Sequence, residues 1–246
     1  MLDFLKNHPF AVEAYFKSSI VLTFAVPKEQ LENLIPECLA LDTFNDKYGF
    51  IAIAMVQTKG LRPKGFPRLF GNDFFLIGYR IFVRYTNEKG KKLRGLYILK
   101  SETDKKKMAF LGNIFTKYSY TTTDINHERT NDILTINSTQ SNFSLTIQKT
   151  DEAIALPNNS PFENWAAARR FAGPLPFTFT YNAQNKTVLI IEGVRENWTP
   201  KPLKVLNYNF EFLNTMNLQN IVLANAFIIE NIPYHWKKGK IEQWKN

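Results

Sequence analysis

The sequence predicts a β-rich α+β fold, and two observations carry that prediction. The chain holds 21 Phe and 10 Tyr in 246 residues, alongside many Ile and Val, and such aromatic and β-branched side chains suit a pleated surface better than a helix. Apolar runs of strand length also recur between turns rich in Gly, Pro and Asn, whereas helical spacing of apolar residues is confined to a few short stretches. With 44% apolar and 14% aromatic residues the chain is not disordered. A chain of this length buries about three quarters of its unfolded surface, enough for one domain over residues 1–246 with an enclosed pocket.

The elements follow in order. Residues 1–17 read as a short N-terminal arm or helix interrupted by Pro9, and residues 18–26 as a strand. "PKEQLENLIP" predicts a helix, because Pro27 is pre-set for a first turn and Leu31, Leu34 and Ile35 share one face. Strands at 39–44 and 49–57 form a hairpin candidate across "NDKYG". "TKGLRPKGFPRLFGN" reads as a long, basic loop. A long strand at 74–85 turns through "TNEKGKK" into a strand at 93–101, whose strict alternation places Leu96, Ile98 and Lys100 on one face. Asp104 is positioned to cap a helix with Met108, Ala109, Leu111 and Phe115 at helical spacing. Strands are expected at 118–125, 132–137 and 143–149. "SPFENWAAARRF" reads as a helix capped by Ser160 and stopped by "GPLPF", with further strands at 177–181, 187–192, 201–212 and 221–232.

Composition narrows the function classes. One Cys, Cys38, and three scattered His supply neither an intramolecular disulfide nor a metal-ligand spacing. The apolar run at 20–26 is too short for a membrane span and lacks signal-peptide flanks, so a cytoplasmic, soluble protein without metal or other cofactor is expected. Asn-x-Ser/Thr triplets at Asn137, Asn142, Asn185 and Asn197 carry no glycan meaning without a secretion signal. The net charge of +9 invites nucleic-acid or membrane binding. Its lysines, however, fall in separated turn-like clusters at 91–94, 105–107 and 237–240 with no nucleic-acid motif around them, and neither partner is expected.

Local chemistry offers candidates without a recognisable catalytic signature. His8, His127 and His235 each stand alone among loop-like residues. Arg169 either complements the C-terminal end of its helix or points inward as a fork for a carboxylate. Arg80 and Arg84 share a strand face and fit either an anion site or a charged sheet edge. A lysine becomes a Schiff-base nucleophile only where burial or a neighbouring cation frees its amine near neutrality. Lys117, between Phe115 and Tyr118, has the most apolar surroundings for that role, and Lys100 comes next.

The succession "VPKEQLENLIPECLALDTF", "IAIAMV", "GLRPKGFP", "FFLIGYRIFVRY", "GLYILKSE" and "AFLGNIFTKYSY" resembles the acetoacetate decarboxylase-like superfamily, and within it the branch called domain of unknown function 2071. The resemblance covers about residues 18–125 and extends more weakly to "SPFENWAAARRF" and "VRENWTPKPLKV". It implies an antiparallel, cone-like β-barrel around an apolar cavity with a few flanking helices. The decarboxylase carries two adjacent lysines after a helix exit, the first being the Schiff-base amine. That exit falls on "LGNIFTKYSY", with Ser119 and Tyr120 at the lysine positions and Lys117 about two residues out of register. The family's preceding glutamate falls near Leu76, and its early arginine has no counterpart, the first arginine here being Arg62. Arg80 matches an arginine of the "N-V-R-T-Y-V" strand of the uncharacterised branch, where Gly78 replaces the Asn.

The resemblance and the local chemistry together imply a cavity that binds a small anionic or carbonyl-bearing molecule, with Arg80, Lys100, Tyr118, Tyr120 and Arg169 as ligand-binding candidates and Lys117 as the catalytic candidate. Two alternatives stay open. One is a Schiff-base lyase or decarboxylase using a displaced Lys117 or Lys100, and the other a non-catalytic protein whose basic loops meet an acidic partner. Exposed strands rich in aromatic residues suit a homo-oligomer.

Overall fold

The structure, a computed structural model, describes residues 5–150, 153–196 and 198–245; Asn197 and the first four residues of the expected arm lie outside them. In chain order the elements are β1 (Val12–Pro27), β2 (Ala40–Leu41), β3 (Tyr48–Pro63), β4 (Asn72–Thr86), β5 (Lys92–Thr103), α1 (Lys106–Phe115), β6 (Tyr120–Thr122), β7 (Asn126–Thr130), β8 (Ile133–Ser138), β9 (Phe143–Gln148), α2 (Trp165–Ala172), β10 (Phe177–Asn182), β11 (Thr187–Arg195), β12 (Lys201–Pro202), β13 (Lys204–Phe210), α3 (Glu211–Asn214), β14 (Val222–Trp236) and β15 (Lys240–Gln243). The β-rich fold with few helices is as the composition predicts.

Eleven strands make the main sheet, in the order β12-β14-β1-β3-β4-β5-β10-β11-β15, with β2 added to β4 and β6 to β5. A second, four-stranded sheet runs β13-β9-β8-β7. In the main sheet β11 also pairs antiparallel with β14, through Gly193–Arg195 against Trp236–Tyr234. That ladder links the two flanks of the strand series, and the residues on it return below.

The strand "IAIAMV" in β3 explains why one face of this sheet is solid and the other is not. Ile51, Ile53 and Met55 are fully buried against the second sheet, where Ile136, Leu145, Ile147 and Phe210 meet them. Ala52, Ala54 and Val56 face the opposite side. Period-two alternation therefore sends bulk to one face and leaves space on the other. The packed face is the main store of stability: each of its large side chains, such as Leu22 or Ile53 at 0% exposure, contributes about 1.5–3 kcal/mol by burial. Burial on both faces also explains why β1 and β3 read as nearly continuous apolar runs.

Several local expectations give way to tertiary structure. "PKEQLENLIP" forms two 3-10 turns, Lys28–Gln30 and Glu32–Leu34, in place of one α-helix, and the residue between them, Leu31, is completely buried. The basic segment expected as a loop continues β3 to Pro63, because Arg62 pairs in register with Glu13 on β1. β1 itself begins at Val12, inside the expected arm. Asp104 does not cap α1; its Oδ1 accepts from Phe75 N at 2.7 Å, and the cap position is Lys105 without a side-chain bond. The cap of α2 is Asn164, accepting from Ala167 N at 2.9 Å, while Ser160 donates to the Ala224 carbonyl.

Candidate functional site

On the roomy face of the main sheet lies a cavity of about 280 Å³. Ala52, Ala54 and Val56 line it from β3, Phe227 and Ile229 from β14, and Met108 and Leu111 from α1. Into these apolar walls β4 sends one guanidinium, that of Arg80. Alternation along β4 fixes its direction: Ile77, Tyr79 and Ile81 pack in the core between the sheets, so Arg80 and Phe82 face the cavity.

Arg80 makes no hydrogen bond or ion pair with any described residue, and its buried Nε has no partner. Burial lowers its pKa from the ordinary arginine range, opposed by the nearby Tyr120, Tyr234 and Tyr118. The shift does not discharge it, because guanidinium stays protonated in proteins. The three phenols surround a cation that nothing in the described structure neutralises. Burial pushes the Tyr120 hydroxyl up to about 12 and raises those of Tyr118 and Tyr234. All three are therefore neutral donors near pH 7, suited to an anion held by Arg80.

The chain geometry places these phenols by small devices. After α1 ends, Ser119 takes a left-handed conformation, φ 50°, between Tyr118 and Tyr120, whose ring centroids lie 6.2 Å apart. Tyr120 is anchored by its own backbone, with N donating to Asn113 Oδ1 at 2.7 Å and O accepting from Asn113 Nδ2 at 2.9 Å. Its ring lies against Gly112, where a Cβ would meet the ring at 2.4 Å. Tyr234 stands on Gly193 in the same way: a Cβ there would come within 1.9 Å of the phenol oxygen. Arg195 lies close enough to Tyr234 to oppose the burial that raises the phenol's pKa; the Nη2 of Arg195 donates to the Pro174 carbonyl and its guanidinium lies 4.8 Å from the Trp198 ring. His8 also borders the cavity; burial lowers its pKa, and its Nδ1 has no partner.

Of the residues singled out in the sequence, the structure brings Arg80, Tyr118 and Tyr120 together in the cavity and leaves Lys100, Lys117 and Arg169 outside it. Lys100 misses because of a register shift between Tyr79 and Arg80: Arg80 pairs with Ile98 and Tyr79 with Lys100, leaving Leu99 as an extra residue. The bulge breaks the alternation, so Ser101 instead follows Leu96 and Ile98 on the cavity side. Lys100 reaches Glu102 at 3.1 Å and sits 5.1 Å from the Phe212 ring. Lys117 lines a separate outer depression with Lys6, Asn113 and Ser119. Arg169 is exposed, since α2 buries the face of Ala168 and Ala172. No lysine, aspartate or glutamate is among the described residues lining the cavity, and no group of three or more His, Cys, Asp or Glu among the described residues is placed to hold a metal. Arg195 and Tyr234 escaped the sequence reading because the strands carrying them run past their apparent ends. Their signal was nonetheless present: Ile232, Tyr234 and Trp236 alternate onto one face, as do Ile191, Gly193 and Arg195.

Residues 14–233 match the family profile of domain of unknown function 2071, described as an uncharacterized conserved protein. The chain belongs to that family. No curated protein sequence matches it significantly. Among solved structures, the acetoacetate decarboxylase of Legionella pneumophila subsp. pneumophila str. Philadelphia 1 superposes with a TM-score of 0.61 at 11% identity, covering 95% of this chain and 88% of that one. An acetoacetate decarboxylase-like enzyme from Sphingomonas wittichii RW1 gives a TM-score of 0.58 at 10% identity, over 97% and 94% of the two chains. The enduracididine biosynthesis enzyme MppR, in complex with the condensation product of pyruvate and imidazole 4-carboxaldehyde, gives 0.54 at 8%, over 95% and 90%. At these identities the likeness to the acetoacetate decarboxylase-like structures is one of fold alone. Among the described residues no helix is long and apolar enough to cross a membrane.

Proposed function

We propose that the protein binds a small organic anion, carboxylate- or carbonyl-bearing, in a barrel-like cavity with Arg80 as its charge anchor, and that no lysine amine serves there as a nucleophile. The observation that carries this reading is the unpartnered Arg80 guanidinium among apolar walls and three neutral phenols. A buried charge without a counter-charge is costly, and an anionic ligand with Tyr118 and Tyr120 as second donors supplies the missing partner through charge-assisted bonds. The return pairing of β11 on β14 supports the barrel-like enclosure. The described lining holds no lysine, which supports a reading without Schiff-base chemistry, since that chemistry needs an amine within reach of the carbonyl carbon.

The test is a panel of small carboxylates and ketones, with pyruvate and acetoacetate among them, screened by thermal shift and followed by calorimetry on the parent and on Arg80→Met. Carboxylates that raise Tm in the parent and not in the variant are expected. The same panel treated with borohydride is expected to leave every lysine unmodified by peptide mass spectrometry; an adduct on Lys117 or Lys100 would restore the Schiff-base reading. Ligands that bind Arg80→Met as well as the parent would remove the charge anchor from the site.

A further inference from the structure

Two arginines, not one, stand in this cavity without a counter-charge, and we infer that the natural ligand is a dianion: a dicarboxylate, or a carboxylate joined to another anionic group, with an apolar spacer. The inference rests on the anion-site reading above and adds the number of charges.

Three arginines border the cavity: Arg62, Arg80 and Arg195. Arg62 is neutralised by Glu13 at 2.6 Å. Arg80 and Arg195 have no acidic partner among the described residues, and in both the Nε is buried without a hydrogen-bond acceptor. Arg195 is held in place nonetheless, by the Pro174 carbonyl and by stacking on Trp198, so it is a fixed donor rather than a loose surface chain. Tyr234 lies within the field of both guanidiniums and marks where the two halves of the site meet. One pole consists of Arg80 with Tyr118 and Tyr120, the other of Arg195 with Tyr234. The surrounding wall, from residues such as Ala54, Phe82, Ile98 and Ile229, is mostly hydrocarbon, and no carboxylate is among the described lining residues. Two positive charges facing an apolar enclosure balance two negative charges on one molecule, each met by a planar fork suited to carboxylate. A single carboxylate leaves one guanidinium unpaired.

The experiment is calorimetry with unbranched aliphatic acids of three to eight carbons, each dicarboxylate set against the monocarboxylate of equal length, on the parent, Arg195→Met, Arg195→Lys and Arg80→Met, all checked for folding by circular dichroism. The parent is expected to prefer a diacid over its matched monoacid by tenfold or more. Arg195→Met is expected to erase that preference while leaving monoacid affinity within about twofold, Arg195→Lys to keep part of it, and Arg80→Met to lose both acids. Equal affinity for diacid and monoacid in the parent would overturn the inference while leaving the anion site standing, and so would an equal loss of both acids in Arg195→Met. Failure of every acid to bind the parent would overturn the anion site itself.

Discussion

Arg80→Met is expected to make the ligand-free protein more stable while abolishing its binding. The parent carries a guanidinium that neither bonds nor ion-pairs with any described residue, on the floor of an apolar cavity. Methionine keeps the length and flexibility of the stem and removes the charge. Exchanging a whole buried ion pair for apolar groups of similar volume is neutral to stabilising by about 1–4 kcal/mol, and an unpaired buried cation, which has no Coulombic gain to lose, is expected to fall in the stabilising part of that range. In a chain of this size each kcal/mol moves Tm by about 2–4 °C. Ligand affinity should move the other way: leaving a carboxylate without its buried partner costs about 2–5 kcal/mol, roughly a 30- to 4,000-fold rise in Kd. Urea unfolding gives the first quantity and calorimetry the second. A variant less stable than the parent would refute the reasoning, since it would mean that Arg80 is anchored by protein contacts and that its charge is not left for a ligand.

Gly193→Ala should destabilise the fold by about 1–3 kcal/mol, because the new methyl meets the Tyr234 hydroxyl at 1.9 Å; combining it with Tyr234→Phe should recover part of that loss in a double-mutant cycle of urea midpoints. His8 is neutral when buried and its pKa is lowered on folding, so the stability it contributes is full above about 6.5 and lost as pH falls from there toward the folded pKa, the unfolded chain taking up the proton first. His8→Asn, which tolerates the φ of 53°, should flatten that loss in urea titrations between pH 5 and 7. Glu242→Gln should cost about 1–3 kcal/mol in urea unfolding, because this buried carboxylate accepts from Tyr85 Oη at 3.1 Å and Glu88 N at 2.9 Å and ties β15 to the β4–β5 turn.

Much of this architecture was legible in the sequence because alternation is a local property. The segment "FFLIGYRIFVRY" announces a strand with Arg80 and Phe82 on a common face. What stayed hidden depends on partners. The bulge at Leu99 that turns Lys100 away from the cavity exists only in the pairing of β5 with β4, and no single-strand pattern encodes it. The strand character of Lys59 to Pro63 comes from hydrogen bonding to β1 across a sequence that, by Gly and Pro content, reads as loop. Arg195 and Tyr234 become neighbours only through the β11–β14 ladder, which joins segments some forty residues apart. The vacant space beside them was written in "IAIAMV", visible once one asks which of the two faces receives the alanines.

The edge of the cavity is sewn together by backbone from distant parts of the chain. His8 N donates to the Phe115 carbonyl, Gly239 N to the His8 carbonyl, and Lys64 N to the Ala11 carbonyl. During synthesis on a ribosome, Arg80, Tyr118 and Tyr120 are made long before β14, with Tyr234, and Gly239 emerge. Until then an uncompensated cation and the apolar strands beside it lack their cover. Such non-local closure is slow to form, and the interval before it is when the nascent chain has most need of a chaperone.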